Sequence, residues 1–360
     1  MAPASSTAEV LLDIKDLSVQ FATEDGLVRA VDGVNFTVRR GQSVGIVGES
    51  GSGKSVSMLT IMGLSRSRNA NISGTAMFEG TDLLQATDSE LRKIRGDDIA
   101  MIFQDPLSSL HPFYKVGWQL VEAIRAHRDV SKRQARERAI ELLGLVGIPS
   151  PRERVDSYPH EFSGGMRQRA MIAMALSNEP KLLIADEPTT ALDVTVQAQI
   201  LELVARLQQE LNMALVLITH DLGVVAQVTE EVNVMYAGEV VESAPTERIF
   251  AAPQHPYTWG LLRSIPRLDR PRDEPLVPIP GRPPSLVDPP KGCRFFPRCP
   301  YEPAEARETH PNLEQAADEA GHTVRCHLAA TTRRQIWAQL KEGKSPEDVK
   351  RSMTVETGAG

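Results

Sequence analysis

The stretch that decides the fold of this 360-residue chain is Gly48-Glu49-Ser50-Gly51-Ser52-Gly53-Lys54-Ser55. It follows the apolar run Ser43–Val47 and precedes residues 56–62, so the pattern is a buried strand, a glycine-rich turn and a helix. Glycines let a backbone wrap around an anion, helix N-terminal amides point at phosphate oxygens, and a lysine neutralises charge. The stretch therefore predicts a nucleotide-binding loop, with Ser55 placed to hold Mg²⁺. The flanking strand and helix weaken the alternative, a turn without a ligand.

The composition favours a globular chain of about two domains, with 41% hydrophobic and 24% charged residues. A net charge of -7 argues against a nucleic-acid partner bound by broad phosphate neutralisation. No run of about 18 apolar residues occurs, so we expect no membrane span. The N-terminus lacks the basic and apolar regions of a secretory signal, so we do not expect it to be one. We expect residues 1–10 to form a disordered tail.

The segment before the loop, residues 11–40, alternates apolar and polar side chains and reads as an antiparallel β lead-in. Phe21 stands at the end of one predicted strand, next to a polar turn. Its ring could stack on a nucleotide base. It could equally be a core aromatic, and the sequence leaves both interpretations open.

Polar side chains follow three further apolar runs: Gln104, the pair Asp186 and Glu187, and His220. In parallel α/β sheets, ligands bind beyond the carboxyl ends of the strands. Asp186 would coordinate Mg²⁺ through water, Glu187 would polarise the attacking water, and Gln104 could reach both. His220 could hydrogen-bond the γ-phosphate. The alternative interpretations are that the two acids only form a solvated strand end and that the histidine has a structural role.

The region from about residue 106 to 178 reads as a helical insert, and Ser131 to Gln134 forms a capping box within it. Near its end, the turn Ser163-Gly164-Gly165 opens a helix that contains Gln168. This is a second anion site of the helix N-terminus type. Either both sites contact one nucleotide, or each serves a different nucleotide in a dimer.

Residues 232–243 read as a closing hairpin, and we expect the nucleotide domain to end near Pro253. Prolines then exclude long regular elements, which indicates a separate, loop-rich appendage. All three cysteines, Cys293, Cys299 and Cys326, lie in the last fifth of the chain. Their number fits a reducing cytoplasm better than a disulfide scaffold.

Together these residues resemble the ATP-binding subunit of an ABC transporter. The resemblance equates Gly48 to Ser55 with the Walker A loop, and it assigns the other family motifs as follows: Gln104 to the Q-loop, Ser163 to Gln168 to the signature, residues 184–187 to Walker B, residues 191–193 with Asp193 to the D-loop, and His220 to the switch histidine. The implied fold is α/β, a P-loop ABC ATPase with a RecA-like core, an antiparallel β subdomain and an inserted α-helical subdomain.

The chain is most similar to the oligopeptide/dipeptide importer ATPases of the D type. Three stretches carry this resemblance: residues 103–112, residues 158–169, and the tail from His255-Pro256-Tyr257-Thr258 through residues 292–300. The resemblance implies an ABC domain at 11–253, a transporter-type C-terminal domain at 254–330, and a C-terminal helix and tail at 331–360. Related importers carry nickel or glutathione. A soluble ABC ATPase acting on ribosomes or DNA, or a subunit with a dead site, are the remaining alternatives.

The resemblance also implies partners and a location. Two ATPase subunits would pair head to tail as a heterodimer, so that Ser163-Gly164-Gly165 and Gln168 close over ATP held by the other subunit. Two membrane permease subunits and an extracytoplasmic peptide-binding protein would complete the importer. The chain would lie peripherally at the cytoplasmic face of the inner membrane.

Close relatives carry four tail cysteines, and some of them bind an iron-sulfur cluster. Here Cys293, Cys299 and Cys326 match three of these positions, but the fourth is Ala306. A cluster with His310 or another group as substitute ligand is one expectation. Three reduced thiols in a small packed subdomain are the alternative.

Overall fold

The computed structural model describes residues 8–104, 109–190, 192–265, 278–316 and 320–357. Its strands are β1 (Val10–Thr23), β2 (Gly26–Arg39), β3 (Ser43–Val47), β4 (Ala70–Phe78), β5 (Thr81–Asp82), β6 (Ile99–Ile102), β7 (Leu182–Asp186), β8 (Ala214–Thr219), β9 (Glu231–Tyr236), β10 (Glu239–Pro245), β11 (Glu314–Gln315) and β12 (Thr323–Val324). Its α-helices are α1 (Lys54–Ile61), α2 (Asp88–Ile94), α3 (Val116–Arg125), α4 (Lys132–Leu145), α5 (Pro151–Arg154), α6 (Gly164–Ala175), α7 (Val194–Glu210), α8 (Leu222–Val228), α9 (Thr246–Ala251), α10 (Pro256–Arg263), α11 (Ala330–Lys341) and α12 (Pro346–Thr357).

The larger sheet has the order β11-β12-β10-β9-β3-β8-β7-β6. Its stretch from β9 to β6 is parallel. Every residue of β3, β7 and β8 is buried, which explains why these strands read as continuous apolar runs. Because the strands are parallel and adjacent, the chain segments that follow β3, β8, β7 and β6 emerge at one edge of the sheet.

The smaller sheet is antiparallel and has the order β2-β1-β4-β5. The long hairpin of β1 and β2 confirms the predicted β lead-in. Leu12, Ile14 and Val19 of β1 share a buried core with Ile46 of β3 and Ile218 of β8. The two sheets therefore enclose one apolar layer, and the phosphate loop starts beside it.

The helical part packs on the other side of the large sheet. Buried side chains of α3, α4 and α6, among them Leu120, Leu143 and Ile172, join Leu183 of β7 in a second core. The predicted capping box is present, since the Ser131 hydroxyl accepts from the Gln134 amide and the Gln134 side chain accepts from the Ser131 amide. The start of the predicted helical region, residues 105–108, lies outside the described residues.

Replacing Ser131 by alanine should lower the free energy of unfolding by about 1 kcal/mol, because the amide of Gln134 loses its side-chain acceptor at the start of α4. Chemical denaturation followed by circular dichroism measures this change. Ser131→Thr keeps the hydroxyl and serves as the control. Equal stability of the alanine and threonine variants would argue against a contribution from the cap.

The segment beyond Pro253 packs against the rest of the fold. Strand β12 pairs with β10 through Glu242 and Ser243, so the tail extends the large sheet. Tyr257 of α10 and Phe295 lie in one buried cluster with Tyr236 of β9. A domain boundary near residue 253 stays a prediction, but the tail packs directly against the nucleotide domain.

Some predicted features fall outside the description. These are residues 1–7 of the expected tail, Ala191 of the D-loop, the proline-containing residues 266–277, residues 317–319 and the last three residues. The expected C-terminal helix is present as two helices, α11 and α12. Within the described ranges, no helix combines the length and the apolar character needed to cross a membrane.

Candidate nucleotide site

The phosphate loop lies between the end of β3 and the start of α1, as predicted. Two of its glycines are required by close backbone approach. A Cβ on Gly48 would lie 2.1 Å from the carbonyl oxygen of Met235, and a Cβ on Gly53 would lie 2.4 Å from that of Ala30. Gly53 also has a φ of 98°, which disfavours any other residue. At the tip of the loop, Ser50 and Gly51 are exposed, whereas Ser52 to Lys54 are buried.

Lys54 lies folded over the loop that contains it. Its ammonium group donates to the carbonyl oxygens of Gly48 at 2.7 Å and Glu49 at 2.9 Å. Burial lowers the pKa of Lys54, and the carboxylates of Glu187, Asp186 and Glu49 oppose this shift. A cation in this position can neutralise phosphate charge directly beside the loop amides.

Ser55 and Asp186 meet at the expected magnesium position. The Ser55 hydroxyl donates to Asp186 Oδ1 at 2.9 Å, although the two residues come from α1 and β7. Asp186 is 5% exposed, and burial raises its pKa. A hydroxyl and a carboxylate are oxygen donors of the kind that Mg²⁺ prefers, so this pair fits the metal.

Glu187 is the centre of a polar network at the carboxyl edge. Its Oε1 lies 3.1 Å from His220 Nδ1, and its Oε2 accepts from Gln104 Nε2 at 3.0 Å and from the Thr190 hydroxyl at 2.9 Å. Burial acts to raise the pKa of Glu187, but the hydrogen bonds from His220 and Thr190 outweigh it and lower the pKa. The side chain is therefore held as a carboxylate, the form that can accept a proton.

The backbone at Glu187 adopts a left-handed conformation with φ of 46°, and its amide donates to the carbonyl oxygen of Ile218 in β8. A non-glycine residue rarely adopts this conformation, and such strain concentrates at functional sites. The strand end thus turns Glu187 away from the line of β7 while Asp186 remains in the sheet. This explains how adjacent acids face two different groups of partners.

Gln104 and His220 lie where the strand order predicts, but their contacts are with Glu187. The amide nitrogen of Gln104 points to that carboxylate, and both Gln104 and His220 are exposed. Ligation of Mg²⁺ by Gln104 therefore stays a prediction. Phe21 is half-buried in β1, where it packs against the core shared by the two sheets. Its stacking on a base also stays a prediction.

The signature turn is a well-formed helix N-terminus. The Ser163 hydroxyl accepts from the Met166 amide and caps α6, while Ser163 and Gly164 are exposed. A cleft of about 510 Å³ is lined by the turn and by Asp193, which in turn caps α7 through the Val196 amide. No phosphate-loop residue lines this cleft. The two anion sites of the chain therefore have separate surroundings.

Gln168 differs from the rest of the signature because it is 2% exposed. Its side-chain nitrogen is buried without a hydrogen-bond partner among the described residues. A direct contact with a partner's nucleotide, which we expected of Gln168, is not supported by this position below the turn. The exposed residues Ser163 and Gly164 remain available for that role.

Two residues that contact the phosphate loop, Tyr257 and Arg298, were not predicted from the motifs. The Glu49 amide donates to the Tyr257 hydroxyl at 2.8 Å, and the Glu49 carboxylate accepts from both terminal nitrogens of Arg298. Tyr257 and Arg298 lie in the C-terminal segment, beyond all the nucleotide-binding motifs. Thr190 was also missed, although its position three residues after Glu187 could have indicated it.

The cysteine region, as far as the structure describes it, gives no support for a metal site. Cys293, Cys299 and Cys326 line one cavity of about 20 Å³ together with Ala306. Within the described ranges, no group of three or more His, Cys, Asp or Glu side chains is placed to hold a metal ion. Burial raises the pKa of all three thiols, that of Cys326 to about 11. Burial around one small cavity fits the packed-thiol interpretation, and an iron-sulfur cluster stays a prediction.

His310 does not replace the missing fourth ligand. Its Nε2 lies 2.9 Å from Oε1 of Glu239, and the side chain lines a different cavity from the cysteines. The position that a fourth thiolate would need is occupied by the methyl group of Ala306, which is 3% exposed. The structure therefore gives no support for His310 as a substitute ligand, and that expectation stays a prediction.

Comparisons with known proteins agree with this geometry. Residues 31–190 match the family model described as ABC transporter, and residues 241–305 match that described as oligopeptide/dipeptide transporter, C-terminal region. The chain is 52% identical to the oligopeptide transport ATP-binding protein OppD of Bacillus subtilis, covering 86% of each chain. It is also 52% identical to the dipeptide transport ATP-binding protein DppD of Escherichia coli, covering 88% of this chain and 96% of that protein.

Among solved structures, a dimeric ATP-binding cassette in a post-hydrolysis state, bound to ADP and phosphate, superposes with a TM-score of 0.59 at 28% identity. The match covers 65% of this chain and 98% of the cassette. It confirms the predicted P-loop ABC ATPase fold. By its sequence and its structure, the chain belongs to the ABC transporter family, within the oligopeptide/dipeptide transporter ATP-binding proteins.

Proposed function

We propose that this chain is the ATP-hydrolysing subunit of a membrane importer and energises uptake of oligopeptides or dipeptides. The observation that carries the proposal is the carboxylate of Glu187, held between His220 and Gln104 beside the Ser55 and Asp186 pair. The names of the relatives, which are oligopeptide and dipeptide transport ATP-binding proteins, support the cargo class.

In the proposed mechanism, Lys54 and the amides at the start of α1 bind the phosphates of ATP. Ser55 and Asp186 would hold Mg²⁺, which would neutralise phosphate charge when bound. Glu187 orients the attacking water and accepts its proton. His220 donates to the γ-phosphate and so responds to its loss. ATP and Mg²⁺ are the only cofactors of this mechanism, and no step uses the cysteines.

The contacts of Glu187 suggest how hydrolysis is held back. Both carboxylate oxygens already have partners: His220 on one, and Gln104 and Thr190 on the other. A carboxylate has about four acceptor sites, so Glu187 can take up water at Oε1 or in exchange for one of these contacts. Gln104 is the natural group to leave, because it is exposed and comes from the short strand β6 at the end of the sheet. A permease subunit that docks near Gln104 could thereby control the exchange.

The separate surroundings of the two anion sites support a two-chain arrangement. The exposed turn at Ser163 and Gly164, together with Asp193, would close over ATP held by a second ATPase subunit. We propose that this second subunit is a related ATPase in a heterodimer. Two membrane permease subunits and an extracytoplasmic peptide-binding protein complete the importer, with this chain peripheral on the cytoplasmic face of the membrane.

The test is reconstitution of the complex with its permeases in vesicles. Addition of a peptide-loaded receptor should stimulate ATP hydrolysis and drive peptide uptake, and both should depend on Mg²⁺. Nickel or glutathione, offered through the same receptor, should give neither response. Stimulation by those cargoes instead of peptides would contradict the peptide assignment. Recovery of the chain with ribosomes and without any permease would contradict the transport function.

A further inference from the structure

The C-terminal segment forms hydrogen bonds with Glu49, the second residue of the phosphate loop. The amide of Glu49 donates to the hydroxyl of Tyr257 at 2.8 Å. The carboxylate of Glu49 accepts from Arg298 Nη1 at 2.6 Å and from Nη2 at 3.0 Å. Three hydrogen bonds thus connect one loop residue to partners 208 and 249 positions later in the chain.

Arg298 is held in place for this contact. Its side chain is 3% exposed, and its remaining donors reach the carbonyl oxygens of Pro280 and Ile279. Its guanidinium also lies 5.8 Å from the centre of the Tyr236 ring. Two parallel hydrogen bonds between a guanidinium and a carboxylate are strong and directional. The pair therefore fixes both the position and the orientation of the Glu49 side chain.

Tyr257 is equally constrained. It is completely buried in α10, and its ring lies 4.7 Å from that of Tyr236 and 5.5 Å from that of Phe295. Tyr236 ends β9, which pairs with β3, the strand that leads into the phosphate loop. The hydroxyl of Tyr257 is therefore presented to Glu49 from a packed aromatic cluster rather than from a mobile loop.

Glu49 is in turn hydrogen-bonded to Lys54, the lysine proposed to bind phosphate. The carbonyl oxygen of Glu49 accepts from Lys54 Nζ at 2.9 Å and from the Ser52 amide at 3.2 Å. The amide, the side chain and the carbonyl of Glu49 are thus all engaged. A shift of this residue would alter the curvature of the loop and the place where the Lys54 ammonium rests.

We propose that Arg298 and Tyr257 are positioning residues for ATP, which hold Glu49 so that the phosphate loop is preformed. The C-terminal segment is then part of the nucleotide site and sets the ATP affinity of this subunit. This inference rests on the proposed function, because it assumes that the loop binds ATP. A preformed loop lowers the entropic cost of ordering the loop when ATP binds. Losing this preformed geometry should therefore weaken ATP affinity more than it slows the chemical step at Glu187.

The test uses Arg298→Gln, Glu49→Gln and the double variant in the assembled complex. Each single variant should raise the KM for ATP about tenfold, as expected for loss of a charge-assisted contact, while kcat changes less than about twofold. The double variant should be no worse than either single one, because both remove the same interaction. Arg298→Lys keeps the charge without the two-pronged geometry and should recover only part of the affinity.

Arg294→Gln provides the matched control. Arg294 is another buried arginine of the same segment, but its partners are Asp32, Glu239 and the carbonyl oxygen of Ala237. Its replacement should lower the melting temperature and leave the KM for ATP unchanged. If Arg294→Gln and Arg298→Gln raise the KM equally, or if the Arg298 and Glu49 effects simply add, the residues are structural and the inference fails.

Tyr257→Phe tests the second contact. It keeps the ring in the aromatic cluster and removes the acceptor of the Glu49 amide, so the KM should rise. Tyr301→Phe is its control, because the buried Tyr301 hydroxyl has no hydrogen-bond partner among the described residues. Equal KM values for the two variants would overturn the role of Tyr257.

Direct binding of a fluorescent ATP analogue separates the two proposals. If the unaltered complex neither binds the analogue nor hydrolyses ATP, the proposed function itself is wrong. If it does both and Arg298→Gln binds the analogue as tightly, only the positioning role is wrong. Weaker binding by Arg298→Gln, with normal binding by Arg294→Gln, supports both.

Discussion

Replacing Glu187 by glutamine is expected to reduce ATP hydrolysis by the assembled complex about 100-fold or more, because the variant keeps the shape of the side chain and loses the proton acceptor. Glutamine can still contact His220 and Thr190, so the local fold should persist. ATP binding should be retained or strengthened, since a negative charge near the phosphates is removed. Phosphate release and equilibrium nucleotide binding measure the two effects separately.

The matched control for this substitution is Glu210→Gln, which makes the same chemical change at an exposed position at the end of α7. It should leave both hydrolysis and binding unchanged. Turnover by the Glu187 variant at the rate of the unaltered complex would remove Glu187 from the mechanism. A parallel loss of ATP binding would show instead that the substitution damages the loop around Lys54.

Replacing Gly164 by aspartate is expected to lower hydrolysis by at least about tenfold while the chain stays folded. Gly164 is the first residue of α6, where a negative charge is favourable to the helix. A Cβ at this position would lie 3.5 Å from Leu192 Cδ2, an ordinary contact. In the proposed two-chain arrangement, however, the carboxylate would approach the phosphates of the nucleotide in the partner subunit, and like charges would oppose closure.

The informative measurement is made on a mixed complex. Gly164→Asp should leave this subunit's own ATP binding through Lys54 intact and should weaken occlusion of the ATP held by its partner. Gly164→Ala adds the same Cβ without the charge and should have the smaller effect. If aspartate and alanine reduce hydrolysis equally, the exposed turn does not face a phosphate.

The site was predictable where function depends on local chain geometry. The loop from Gly48 to Ser55 and the Asp186 and Glu187 pair each stand at the end of an apolar strand, so strand order alone brings them together. The capping box at Ser131 was found for the same reason, since its partners are three residues apart. Such features carry their own signal in a short window of sequence.

Features that depend on distant parts of the chain were not predictable. The contact between Glu49 and Arg298 joins residues 249 positions apart, and neither neighbourhood indicates the other. The two-residue strand β12 has no periodicity to detect, although it extends the main sheet. The burial of Gln168 below an exposed turn also reflects packing against the whole domain rather than any pattern in the signature.

The pairing of β12 with β10 has a consequence for how the chain is made. Domains fold progressively as they leave the ribosome, and β10 emerges long before Thr323 and Val324 have been synthesised. Until then the nascent chain carries an uncovered strand edge next to largely buried residues of β10. Such an edge is a template for another copy of the same strand. Pairing with Thr323 and Val324 covers this edge at Glu242 and Ser243, so the tail protects the main sheet as well as extending it.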